Sequence, residues 1–95
     1  MTIRPSPNPP IGLSATIVST TQIALSWLHD GLNISEFRID RSRNEPSGFA
    51  TLGTASPEHR LYVDVDLEAN ETYFYRVLAS YGVRSAVSIV VTVTT

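Results

Sequence analysis

A period of two runs through the longest patterned stretch of the sequence. From Thr72 to Ser80, Tyr73, Tyr75, Val77 and Ala79 fall on one side of an extended chain, and Phe74, Arg76 and Leu78 fall on the other. Gln22–Trp27 repeats the pattern with Ile23, Leu25 and Trp27 on one face, and Glu36–Asp40 with Phe37 and Ile39 inward and three charged residues outward. Val87–Val93 places Val87, Ile89, Val91 and Val93 inward, and Ser88, Val90 and Thr92 outward. Shorter signals at Ile11–Val18, Phe49–Leu52 and Leu61–Asp64 bring the total to about seven strands. Turn residues at Asp30-Gly31, Pro46-Ser47-Gly48 and Tyr81-Gly82 separate them, and no stretch carries a useful helical period. Each strand has one oily face, which a single open layer would leave in water. Two antiparallel sheets packed face to face bury those faces together, so the pattern predicts a β-sandwich.

Length and charge narrow the function. Ninety-five residues suit one domain, and a 42% hydrophobic fraction suffices for a packed core. A formal charge of -2 supplies no positive field to neutralise phosphates, which argues against nucleic acid as a partner. Without cysteine there is neither disulfide nor thiol chemistry. The longest apolar run, Ile89-Val90-Val91, is far too short to cross a bilayer, so no membrane insertion by this domain is expected. Four prolines fall within residues 5–10, a composition that cannot donate to a sheet ladder. Residues 1–8 are therefore read as a Pro-rich linker and residues 9–95 as the domain, in a chain that reads as a piece of a longer protein.

From Pro9 to Thr95 the chain resembles a fibronectin type III domain. The resemblance rests on Pro9, Leu13 and Ala15; on Ile23-Ala24-Leu25-Ser26-Trp27; on Phe37-Arg38-Ile39-Asp40-Arg41-Ser42; on Tyr62-Val63-Asp64 and Leu67; and on Thr72 to Ala79. Gly82, Ser85, Ser88 and the closing Val91 to Thr95 complete it. It implies an all-β, immunoglobulin-like, seven-stranded antiparallel β-sandwich with sheets A-B-E and C-C′-F-G. Trp27 becomes the large plug between the sheets. Leu67 and Tyr73 look like the family's tyrosine corner, in which the phenol bonds back to the chain near Leu67–Asn70. Tyr62 is the remaining structural marker. The sequence departs from the family where Ala69 replaces the usual proline of the loop before the corner.

The fold implied has no active-site cleft, so function is expected in loops or on a sheet face. His29 and His59 read as solvated loop histidines. Although Asp30, Ser26 and Ser35 lie near His29 in sequence, no nucleophile elbow or phosphate-cradling loop accompanies them, and no catalytic residue or cofactor is assigned. Asp64, Asp66, Glu68 and Glu71 gather oxygen ligands of the kind calcium takes, but match no EF-hand spacing, and no metal is assigned. The expected partner surface is the outer C-C′-F-G face, with Arg38, Asp40, Phe74, Arg76, Leu78, Val90 and Thr92; an arginine stacked on Phe74 is the intramolecular alternative. Asn33-Ile34-Ser35 and Asn70-Glu71-Thr72 fit the N-glycosylation pattern. The expected role is that of a non-enzymatic spacer, adhesion or protein-interaction module in a larger extracellular or cell-surface protein, monomeric in isolation. Its partners would be neighbouring domains of the same chain or another protein. The alternative is an accessory domain of a secreted carbohydrate-active enzyme or a viral tail protein.

Overall fold

The computed structural model describes residues 6–95. It holds eight strands: β1 (Ile11–Ser19), β2 (Gln22–Leu28), β3 (Glu36–Arg43), β4 (Ala50–Ala55), β5 (Leu61–Asp64), β6 (Thr72–Tyr81), β7 (Arg84–Val87) and β8 (Val91–Thr94). One sheet has the order β1-β2-β5. The other runs β4-β3-β6-β7, with β8 also paired to β6, and all pairings are antiparallel. In the lettering used above, these are A-B-E and C-C′-F-G, with β7 and β8 together forming G. The outer edge at β1 follows from the prolines before it, of which Pro10 is fully buried.

The alternation seen in the sequence becomes the core. Ile23, Leu25 and Trp27 of β2 meet Phe37 and Ile39 of β3 and Tyr73, Tyr75, Val77 and Ala79 of β6, with Leu13 and Leu67 closing the sides. The Trp27 indole meets the Phe37 ring edge-on, centroids 5.3 Å apart. Tyr62 on β5 is half-buried and reaches across to β4. A Cβ added at Gly53 would lie 2.6 Å from the Tyr62 hydroxyl oxygen, so any side chain here would have to displace the Tyr62 ring. Leu52 is the extra residue of a bulge beside it, since Ile39 faces Gly53 whereas Asp40 faces Thr51. The Tyr73 hydroxyl accepts a hydrogen bond from the Glu68 N–H at 2.9 Å and so ties the β5–β6 crossover to the core.

A charged pair also enters the core. Continuing the alternation of β3 past Ile39 turns Arg41 inward, and Tyr62 on β5 sets Asp64 inward by the same rule. They meet between the sheets: Arg41 Nη1 donates to both Asp64 oxygens at 3.1 and 3.0 Å, and the Tyr75 hydroxyl donates to Asp64 Oδ2 at 2.7 Å. Asp64 is 3% exposed, and these bonds satisfy a carboxylate that would otherwise be costly to bury.

Expectations from the sequence fail at the last strand. The expected continuous Val87–Val93 breaks into β7 and β8 at Ser88–Val90. Ser88 is buried rather than outward: its N–H donates to the Val77 carbonyl at 2.9 Å, and its hydroxyl accepts from the Val77 N–H at 2.9 Å. A side chain thus replaces a ladder partner, and the inward phase is lost there. Val87 and Ile89, expected inward, are exposed, whereas Val91 and Val93 do pack on the core. The segment expected to be a linker, residues 1–8, is described only from Ser6. Residues 1–5 lie outside the described residues, while Pro7 is buried against the domain.

Burial, and then the Asp64 hydrogen bond, push the Tyr75 hydroxyl well above its ordinary value. In the unfolded chain the same phenol ionises near ~10. Its stabilising contribution is therefore intact below about pH 10 and is lost as pH rises above that value. Tyr75→Phe has no proton to lose, so urea midpoints measured from pH 8 to 11 should fall less steeply for the variant than for the parent chain.

Candidate interaction surfaces

The outer face of the larger sheet is not the open apolar patch its pattern predicts. Asp40 and Leu78, expected exposed, are 2% and 7% exposed. Phe74, Arg38 and Arg76 are half-buried, and only Val90 and Thr92 of the expected surface are open to solvent. At the Ser42 and Arg76 end of the face the β3–β4 loop folds back over the strands. The Ser42 hydroxyl, itself buried, sits between the carbonyls of Glu45 and Ser47 at 2.5 and 2.6 Å and pins the loop down. The loop brings Phe49 under the Arg76 guanidinium, 4.4 Å from the ring centroid; the arginine stacks there and not on Phe74.

Asp40 organises this cover. Its Oδ1 accepts from Arg38 Nε at 3.3 Å and from the Thr51 hydroxyl at 3.2 Å, and its Oδ2 accepts from Arg76 Nε at 3.0 Å. One carboxylate thus holds two guanidiniums together, and both of its oxygens are occupied within the domain. Asp40 thus closes the middle of this face, while Val90 and Thr92 stay open.

The outer face of the smaller sheet differs. Strands β1, β2 and β5 contain one charged residue, Asp64, and it points inward. Outward lie Ile11, Leu28, Leu61 and Val63, 61%, 62%, 59% and 44% exposed, beside Ser14 and Ser26, whose hydroxyls bond each other at 2.9 Å. Ile11 and Leu28 are cross-strand partners and, with Asn8, Pro9, His29 and Asp30, line a shallow groove of about 350 Å³. An uncharged face with large exposed aliphatics fits the composition of a protein contact core. The lack of charge on these strands is visible in the sequence, where Asp64 is the one charged residue of the three.

The remaining candidates resolve locally. His29, read as solvated, has a fully enclosed side chain: its Nε2 bonds the Asn8 carbonyl at 2.7 Å, and its Nδ1 accepts from the Gly31 N–H at 2.8 Å. The nearby serines do not bond it; Ser26 pairs with Ser14, and Ser35 donates to the Ser80 carbonyl. In the acidic loop, Asp64 is taken by Arg41 and Tyr75, and Glu71 pairs with Arg43 at 3.1 Å. The Arg43 hydrogen bond holds the Glu71 carboxyl below its usual range. Among the described residues, no group of three or more His, Asp or Glu is placed to hold a metal ion.

No family model matches the sequence, and no curated protein matches it. Solved structures do match the architecture. A three-domain fragment of chicken contactin, FN1–FN3, aligns with a TM-score of 0.83 over 96% of this chain at 18% identity. The FN3 domain of human collagen XX aligns with a TM-score of 0.80 over the whole chain and 97% of its own length, at 17% identity. The chain has a fibronectin type III fold. Domains A168–A170 of titin match this fibronectin type III sandwich at a TM-score of 0.79 and 22% identity over 95% of the chain. The chain spans about a third of the length of the contactin and titin fragments, 31% and 32%. It therefore corresponds to a single module in each.

Replacing Asp40 with Ala leaves two arginines side by side with no carboxylate between them. Its cost should be about 3 kcal/mol, the low end for removing one partner of a buried pair because both arginines are partly wet. Thr51→Ala removes one neutral donor and should cost about 1 kcal/mol. Chemical denaturation of the two variants checks the contrast.

Proposed function

We propose that this chain is a non-enzymatic fibronectin type III module of a larger extracellular or cell-surface protein. It spaces and joins neighbouring domains and offers one face for adhesion or protein contact. The placement of the first and last described residues, Ser6 and Thr95, carries this reading. Ser6 is held by Arg84, whose partner Tyr81 ends β6. Thr95 is bonded to Glu68 and Glu71, beside the Thr72 end of the same strand. The ten residues of β6 thus separate entry from exit by about 30 Å of extended chain, at ~3.3 Å per residue.

A rigid sandwich with its ends at opposite poles fixes the distance between whatever flanks it. The three-domain contactin and titin matches support use as one link among several; contactin and collagen modules share the fold with titin's, so the extracellular or surface setting is the proposal's own. Both His29 nitrogens are occupied by backbone groups, which supports a structural role for the one buried imidazole. For contact with a neighbour or another protein, the uncharged outer face of β1-β2-β5 is favoured over the face that Asp40 closes.

The two roles separate by exchange. Replacing the module in its parent polypeptide by an unrelated sandwich of the same length should preserve the parent's behaviour if spacing is the role. The double variant Leu28→Ser and Leu61→Ser should keep the fold and weaken a contact made by the smaller sheet about tenfold or more. Unchanged partner binding by the double variant would remove that face from consideration.

A further inference from the structure

The proline-rich leader is anchored at three points rather than hanging free. The Arg84 guanidinium donates to the Ser6 hydroxyl at 2.8 Å. Pro7 is buried. Asn8 is held twice: its carbonyl by His29 at 2.7 Å, and its side-chain amide by Asp30 Oδ2 at 2.8 Å. These anchors belong to two different elements, the β2–β3 loop and the first residue of β7, so the leader bridges two parts of one pole.

His29 is built to hold this position. The Gly31 N–H can donate only to a bare nitrogen, so Nδ1 carries the lone pair and the ring proton sits on Nε2, aimed at the Asn8 carbonyl. The ring packs edge-on against Phe37, centroids 5.3 Å apart at 85°, and so is seated on the core itself. Arg60 braces the same spot, donating to the His29 carbonyl at 3.2 Å and lying 5.1 Å over the Phe37 ring. The loop beyond is fixed by Asp30, whose Oδ1 accepts from the Leu32 N–H at 2.9 Å; this bond and that from Asn8 hold its carboxyl below the usual range. A chain of contacts thus runs from the centre of the sandwich through Phe37 and His29 to the leader backbone.

We propose that Ser6–Asn8 is a docked strap, with His29 as its positioning residue, that fixes the direction in which the polypeptide enters the sandwich. The occupant of this pole is the chain's own leader, and the domain therefore starts before Pro9. Prolines make the strap cheap to order: three of the five residues from Ser6 to Pro10 are proline, so little backbone freedom is lost on docking. The strap deepens the spacer reading, on which its purpose rests: a stiff entry transmits the orientation of the preceding segment, where a loose linker would not.

Backbone ¹⁵N relaxation of the full chain tests this. In the unaltered protein the Asn8 amide should have an order parameter near the ~0.85 of rigid backbone. In His29→Phe, which keeps a ring against Phe37 but loses both hydrogen bonds, it should fall below about 0.6 while the strand amides stay rigid. Asn8→Ala lies outside every strand and should also loosen the leader with no change in the core. Arg84→Gln should free Ser6 and leave Asn8 ordered. Ring ¹⁵N shifts should show the proton on Nε2. The proposal is overturned by a mobile Asn8 in the unaltered chain, by equal order in both His29→Phe and Asn8→Ala, or by a proton on Nδ1. An ordered strap in a module whose exchange disrupts the parent would keep the strap and refute the spacer.

Discussion

Burial of the two inner faces against each other is the constraint from which the other features follow. Fully burying one large apolar side chain is worth about 1.5–3 kcal/mol, against a total stability of ~5–15 kcal/mol for a domain. Each of Trp27, Phe37, Tyr75 and Val77, at 2% exposure or less, is thus a sizeable fraction of the whole. The Trp27 Nε1 finds no acceptor among the described residues, so the indole contributes through packing and its edge contact with Phe37. The inner faces admit charge only where both partners arrive together. Arg41 comes from one sheet and Asp64 from the other, and the Tyr75 hydroxyl completes the set. That arrangement needs the sheets in one register, and it therefore specifies how they stack as well as holding them.

With the inner faces committed, the outer faces diverge. On the larger sheet a loop returns over the strands, and Asp40 gathers Arg38, Arg76 and Thr51 into a closed network. On the smaller sheet nothing within the described chain covers the aliphatic row from Ile11 to Val63. The poles are equally unlike. One carries the leader, tied through His29 to Phe37; the other carries Thr95, tied to the crossover that the Tyr73 hydroxyl fixes. Ser6–Asn8 and Thr95 are thus fastened to the same sandwich at opposite poles.

The sandwich was legible because a period of two is a direct image of the pleat. Ile23, Leu25 and Trp27, and Tyr73 to Ala79, fall inward as their alternation demands. What alternation does not encode is where a side chain substitutes for the ladder or where a loop returns. Ser88 breaks the last strand by bonding Val77 through its own hydroxyl, and that contact spans eleven residues of sequence. Asp40 and Leu78 do face outward as their phase requires, yet both are buried; Asp40 is covered by Arg38, Arg76 and Thr51, with Phe49 of the β3–β4 loop under Arg76, a tertiary event that no local pattern announces. Arg41 and Asp64 were within reach of the same rule, had the phase of β3 been followed one step past Asp40. His29 was the least legible, since its partner Asn8 sits in a segment whose prolines read as a linker.

The closing of the sheets around Trp27 can be read optically, because it is the chain's only tryptophan. Its fluorescence, with acrylamide as quencher, should report an indole shielded from solvent in the native protein. It should become accessible in one cooperative transition that coincides with loss of the far-ultraviolet β signal. An indole freely quenched in the native state, or one that is exposed before the sheets melt, would contradict a core built around it.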